Sequence, residues 1–214
     1  MAKRLTKRAA IKASPRFTAM DADPVTVARR LLGQRLVHVV RGQRLAGLIV
    51  EVEAYLGETD PAAHTFGGRR TARNESMYLP GGHAYVYFTY GAHFCLNVVC
   101  GHRDEGVAVL IRALGPTEGI QQMFANRPKA RLETDLCSGP GKLTQALVID
   151  RRLDGVDLRT STELFIERVR NRPLPAGMIK AGPRIGLNPR EHWQPGWGDN
   201  PLRFFIRENP HVSC

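Results

Sequence analysis

Hydrophobic and polar positions along this chain change period in blocks, and each change marks an element. Asp23 is a good N-cap, Pro24 suits a first helical position, and Val27, Leu31 and Leu32 recur at helical spacing, so a short helix is predicted that Gly33 ends. Residues 35–40 and 45–55 are rich in branched apolar side chains and flank the turn Arg41-Gly42-Gln43, which predicts a hairpin. A second hairpin is predicted from 84–90 and 94–100 around Gly91-Ala92-His93, and a further strand from 107–114. Pro116-Thr117-Glu118 opens a predicted helix through about Asn126, and another follows Ser138-Gly139-Pro140-Gly141 as far as Leu147. Late strands are expected at 163–168 and 202–207. Residues 57–83 mix glycine, proline and charge without period, and so long a loop inside a compact domain is usually functional. No repeat or linker interrupts the pattern. The expectation is therefore α+β: one mixed domain over 17–214, with a curved antiparallel sheet, flanking short helices and a protruding β-hairpin.

Composition leaves the fold class unchanged but narrows the partners. Among 214 residues, 31 Lys and Arg against 20 Asp and Glu give a formal charge of +11, which favours a polyanion. Lys3, Arg4, Lys7, Arg8, Lys12 and Arg16 precede any acid, so residues 1–16 read as a disordered basic arm, either a solubilising tail or an attraction for phosphates. The four cysteines, Cys95, Cys100, Cys137 and Cys214, lack C-x-x-C spacing, so reduced thiols and no metal site are expected. No apolar run reaches the ~20 residues of a membrane helix, and the first residues lack the centre of a signal peptide. A cytoplasmic or nucleoid-associated location follows as the expectation, nuclear if the source is eukaryotic.

Candidate chemistry concentrates on a few faces. A period of two puts Glu51, Glu53 and Tyr55 on one side of their strand and Val50, Val52 and Ala54 on the other. Carboxylates on so apolar a strand are costly unless paired, hydrated or employed, and ion pairing alone is as good a reading as catalysis. Side chains two apart start roughly 6.5–7 Å from each other, which also admits an acid pair of the carbohydrate-hydrolase kind. A strongly basic surface has no use on neutral sugars, which counts against that reading. The run Tyr85-Val86-Tyr87-Phe88-Thr89-Tyr90 brings Tyr90 to a hairpin tip, where an aromatic can enter a base stack, and leaves Tyr87 on the other face to line a pocket. Arg69, Arg70 and Arg73 in the long loop, and Lys142 beside a glycine-rich helix start, are placed to meet phosphates, although the segment is no Walker loop. Arg112 shares a predicted face with Ala108, Leu110 and Leu114 and needs a carboxylate partner, Glu51 or Glu53, either for structure alone or to place a water or a phosphate beside that carboxylate. His64 reads equally as bystander or site residue. Trp193 and Trp197 default to packing.

Glu51-Val52-Glu53-Ala54-Tyr55-Leu56-Gly57, Ala63-His64, Arg73-Asn74, Tyr85 to Gly91 and Cys137-Ser138-Gly139-Pro140 occur in the same order in one family. On these motifs, from about Thr18 to Phe204, the chain resembles the alkyladenine type of 3-methyladenine DNA glycosylase. The resemblance implies a monofunctional, monomeric enzyme without cofactor or metal that flips alkylated or deaminated purines out of double-stranded DNA and hydrolyses the N-glycosidic bond. It implies Glu53 as general base, Arg112 as the residue that helps hold the water, Tyr55, His64, Tyr87 and Asn97 as the base pocket, and Tyr90 as the residue that fills the vacated stack. No lysine matches the pocket, which argues against a covalent lyase. Ala92 and His93 stand at the tip where larger residues are common in animal members.

Overall fold

The computed structural model describes residues 15–89, 91–187 and 197–213. The basic arm short of Pro15, together with Tyr90, Trp193 and Cys214, lies outside the described residues.

The first helix, α1 (Pro24–Leu31), starts as its sequence requires: the Asp23 carboxylate accepts from the Thr26 amide at 2.9 Å, and Val27, Ala28 and Leu31 are buried. The strands are β1 (Arg35–Val40), β2 (Gln43–Tyr55), β3 (Ala84–Thr89), β4 (His93–Val99), β5 (Ala108–Glu118), β6 (Leu164–Glu167), β7 (Ile179–Gly182) and β8 (Arg203–Ile206). Three more short helices, α2 (Ile120–Asn126), α3 (Glu133–Leu136) and α4 (Pro140–Ala146), lie between β5 and β6. All pairings are antiparallel, in the order β3-β4-β5-β2-β1-β6. The fold is α+β, a mixed single domain built on a curled antiparallel sheet.

Two expectations need correction. Pro116-Thr117-Glu118 does not open a helix: the residues prolong β5, where Pro116 and Glu118 register with Gly47 and Ala46, and the helix begins at Ile120 after left-handed Gly119. Propensity for a helix start lost there to pairing with β2. Strand β7 has no counterpart among the predicted elements, because its sequence Ile179-Lys180-Ala181-Gly182 carries little β signal and pairs only with β8.

Strand β2 is the spine. It pairs with β5 along one side, while on the other its first half pairs with β1 and Glu51–Glu53 pair with β8. The register with β5 shifts on either side of Glu51, so Val50 and Arg112 have no directly opposed residue. Such a bulge resets alternation and re-aims side chains. Ile49, Val52 and Ala54 all enter the main core, beneath α1 and α4, while Glu51, Glu53 and Tyr55 keep the opposite face. The same irregularity puts Leu114 in the main core, not on the face of Arg112 where plain alternation had placed it, whereas Leu110 stays with Arg112.

The loop 57–83 is made of 3₁₀ turns tied by buried Asn74. Its side-chain oxygen accepts from the Thr71 amide at 2.7 Å and hydroxyl at 3.0 Å, and its amide donates to the carbonyls of His64 at 2.9 Å and Arg69 at 2.8 Å. One side chain thus fixes both ends of the segment from His64 to Arg73. Asn74→Ala removes four part-buried hydrogen bonds and is expected to lower stability by about 1–2 kcal/mol in denaturant unfolding, with proteolytic nicking of this loop as the first visible change.

Candidate active site

Where β2, β3, β4 and β5 run side by side, their faces away from the main core line a cavity of about 330 Å³. Tyr55, His64, Tyr87, Asn97 and Arg112 all border it, as do Met77, Tyr85, Cys95, Leu110 and Ile185. The alternation that delivers them is visible in the register: Tyr85 opposes Asn97 and Tyr87 opposes Cys95, while Val86, Leu96 and Val98 face the core.

The aromatic wall is pre-arranged. The Tyr85 and Tyr87 rings stack at 5.3 Å between centroids, and His64 stands edge-on to Tyr87 at 4.5 Å. His64 Nδ1 lies 2.7 Å from the Tyr85 hydroxyl, which orients the imidazole from behind. Burial raises the hydroxyls of Tyr55, Tyr85 and Tyr87 above the ordinary tyrosine value, so all three remain neutral donors. The Asn97 amide donates to the Tyr85 carbonyl at 3.2 Å, which anchors it in the pocket wall.

Behind this wall lies the charge. Glu53 is fully buried, and its carboxylate accepts from the Tyr55 hydroxyl at 3.1 Å and the Ile185 amide at 2.7 Å, with Arg112 Nη1 at 3.1 Å. Each of these three partners also faces the cavity. Desolvation raises the proton affinity of Glu53 above the usual carboxylate range, and it outweighs the opposing pull of Arg112, the Ile185 amide, Tyr55 and Arg184.

Glu51 is equally buried but differently employed. It accepts from Arg203 Nη1 at 2.9 Å and from the Ser213 amide at 2.7 Å and hydroxyl at 2.9 Å, and Arg112 Nε lies 3.3 Å away. Arg112 therefore sits between both carboxylates, which joins the two partners that the sequence left as alternatives. Neither carboxylate lines the cavity itself, but the partners of Glu53 do, whereas Glu51 is taken up by Arg203 and Ser213, which do not, so an acid pair of the carbohydrate-hydrolase kind has no support in this geometry.

Two residues absent from the sequence reading complete the site. Arg184 makes a two-pronged pair with Asp60, at 2.5 and 2.8 Å, donates to the Ala54 carbonyl at 3.1 Å, and lies over the Tyr55 ring at 4.6 Å. Both members are buried. The pair fixes the residue before Ile185, whose amide reaches Glu53 and whose carbonyl accepts from Arg112 at 3.4 Å. A lone aspartate and a lone arginine 124 positions apart carry no local motif, so only the fold reveals them.

The expected phosphate contacts are peripheral. Arg69 and Arg73 are exposed on the loop beside the pocket, where Arg73 donates to the Phe88 carbonyl at 3.1 Å, and Arg70 is taken by Glu75 and Asp104. Lys142, exposed near the start of α4, contacts the Ser138 hydroxyl at 3.1 Å, two residues from pocket-lining Pro140. At the tip, His93 packs so closely on Gly141 that an added Cβ there would come within 2.9 Å of its ring. Phe88, half exposed, meets Phe94 below the turn with the rings tilted at 54° and their centroids 5.1 Å apart. Trp197 packs against the main core, as its default reading had it. Cys95, Cys100 and Cys137 are buried free thiols, and no group of His, Cys, Asp and Glu among the described residues could hold a metal.

A family model described as methylpurine-DNA glycosylase matches residues 18–210. A protein of Burkholderia cenocepacia (strain HI2424) named "Putative 3-methyladenine DNA glycosylase" is 44% identical over 200 residues, covering 89% of this chain and 92% of its own. A namesake from Bacillus cereus (strain AH187) is 42% identical, covering 95% of this chain and 99% of its own. The mouse DNA-3-methyladenine glycosylase is 42% identical over 90% of this chain and 59% of its own length. The chain belongs to the methylpurine-DNA glycosylase family and is a DNA glycosylase, a hydrolase of N-glycosidic bonds.

Proposed function

We propose that this glycosylase excises alkylated and deaminated purines, among them 3-methyladenine, 7-methylguanine, hypoxanthine and ethenoadenine, by flipping the nucleotide into the aromatic cavity and hydrolysing its glycosidic bond with a water activated by Glu53. The observation that carries this reading is the arrangement of Glu53 directly behind a cavity whose wall includes its three partners Tyr55, Arg112 and Ile185. A flipped base needs flat faces to stack on and polar edges to read, which Tyr55, His64, Tyr87 and Asn97 supply. A water on the sugar side needs a base and a fixed donor or acceptor beside it. Glu53, Arg112 and the Ile185 carbonyl, already joined to one another, offer all of these.

The charge logic suits such a reaction. As the bond to the base lengthens, the sugar acquires positive charge, and a buried carboxylate both takes the water's proton and offsets that charge where little water screens it. Arg112 is the strongest of the influences that oppose the desolvation of Glu53 and so favour its ionised form. Asn97, held against the Tyr85 carbonyl, is the residue that a guanine amino group would meet. Tyr90, adjacent to the described tip, fills the gap left in the duplex, and Arg69, Arg73 and Lys142 hold the backbone. The enzyme acts as a monomer on damaged double-stranded DNA without cofactor, in the cytoplasm or nucleoid, or in the nucleus if the cell has one.

Glu53→Gln keeps the shape and the Ile185 contact but cannot accept the proton, so single-turnover base release from duplexes containing hypoxanthine or ethenoadenine should fall about a hundredfold or more while duplex binding persists. Full activity in that variant would end the assignment. The acid limb of the wild-type rate profile should report one protonation, with activity lost as pH falls through the raised value of Glu53, at a pH above that of an exposed glutamate. Arg184→Gln abandons the buried Asp60 carboxylate and should cost about 3–5 kcal/mol by denaturant unfolding. In the residual folded enzyme the acid limb moves to still higher pH, because a positive charge that favours ionised Glu53 is gone.

A further inference from the structure

At the edge of the sheet away from the base pocket, the segment after β6 and the surface of α1 form a groove of about 400 Å³ floored by residues 17–19. Arg30, Arg168, Arg170 and Arg172 line it, and no lining residue is a carboxylate. The acid nearest in sequence, Glu167 beside Arg168, turns away to Arg35 and Arg44. The ion pairs of the described residues include none of the four groove arginines.

The groove is also rigid. Buried Gln34 accepts from the Val169 amide at 2.9 Å and donates to the carbonyls of Arg170 at 3.2 Å and Arg30 at 3.3 Å, which ties the loop after β6 to the end of α1. Arg170 Nε donates to the Arg172 carbonyl at 2.9 Å, so the loop also braces itself. A clustered, unneutralised set of guanidiniums on a fixed frame is destabilising in isolation, and its self-repulsion is relieved by an anion with several charges at short spacing. In an enzyme whose substrate is DNA, that anion is a run of backbone phosphates. β6 lies two strands from β2 and five from β3, about 10 and 24 Å across the sheet. That places the groove beyond the pocket and its flanking Arg69 and Arg73.

We propose that this groove is a second DNA-phosphate site, which holds duplex by charge alone and independently of the flipped base. Each phosphate contact releases condensed counterions, so the site contributes to the salt dependence of binding to undamaged DNA. The test compares wild type, Arg30→Gln/Arg172→Gln, and the control Arg103→Gln/Lys129→Gln, which removes the same charge from exposed positions outside the groove. Binding of an undamaged duplex of about 25 base pairs is followed by fluorescence anisotropy across a range of KCl, with melting temperatures to verify folding. The groove variant should lower the slope of log Kd against log [KCl] by about 2, and the control by less than half of that. Equal slopes for wild type and groove variant, or an equal drop in the control, would overturn the proposal. Should the double variant melt early, Arg172→Gln alone, whose side chain lies exposed on the loop surface, reads the same slope with an expected drop of about 1.

Discussion

Arg112 lies with one nitrogen 3.3 Å from Glu51 and another 3.1 Å from Glu53, in a place where neither carboxylate reaches solvent. Moving each such ion out of water costs several kcal/mol, and only mutual pairing with added hydrogen bonds repays it. The remainder of the centre follows from that requirement. Arg203 and Ser213 complete Glu51, Tyr55 and Ile185 complete Glu53, and Asp60 neutralises Arg184, whose own backbone carries Ile185 to its place. Three carboxylates and three guanidiniums are thereby brought together, and within the Asp60–Arg184 pair the withdrawal of either member leaves the other buried without an opposite charge of its own.

The sheet makes this arrangement possible by breaking its own regularity. A strictly alternating β2 and β5 would oppose one another residue for residue, with no vacancy for an arginine between two glutamates two positions apart. The bulge beside Glu51 leaves Arg112 without an opposed residue and turns it into that interval, at the cost of an interrupted ladder. The departure from ideal pairing sits beside the candidate active site, and bulges are common next to active sites.

The sequence was informative wherever local pattern and tertiary structure asked for the same thing. Asp23-Pro24, the branched runs of β1 and β2, and the aromatic hairpin of β3 and β4 each agree with their final environment. The α+β class follows from them, and Tyr55, Tyr87 and Arg112 stand out by their own positions, whereas His64 reads either way and Asn97 enters only through the family resemblance; all five line the cavity. Illegible parts depend on contacts distant in the chain. Pro116 to Glu118 has the composition of a helix start but is captured by β2. β7 exists only because β8 is beside it, and Leu114 changes face through a bulge that no single strand announces. Asp60 and Arg184 lack any motif because their meaning is a meeting across 124 positions.

The pairing of Ser213 with Glu51 spans 162 positions, and β8, which carries Arg203 to the same carboxylate, is the last strand of the sheet. During synthesis, β1 and β2 can pair at once, and β3, β4 and β5 can close the pocket wall soon after. Loop closure over so long an interval is slow and entropically costly. The arginine-carboxylate centre thus draws on residues from far apart in the chain, and a chain clipped before β8 lacks both Arg203 and Ser213, which complete Glu51.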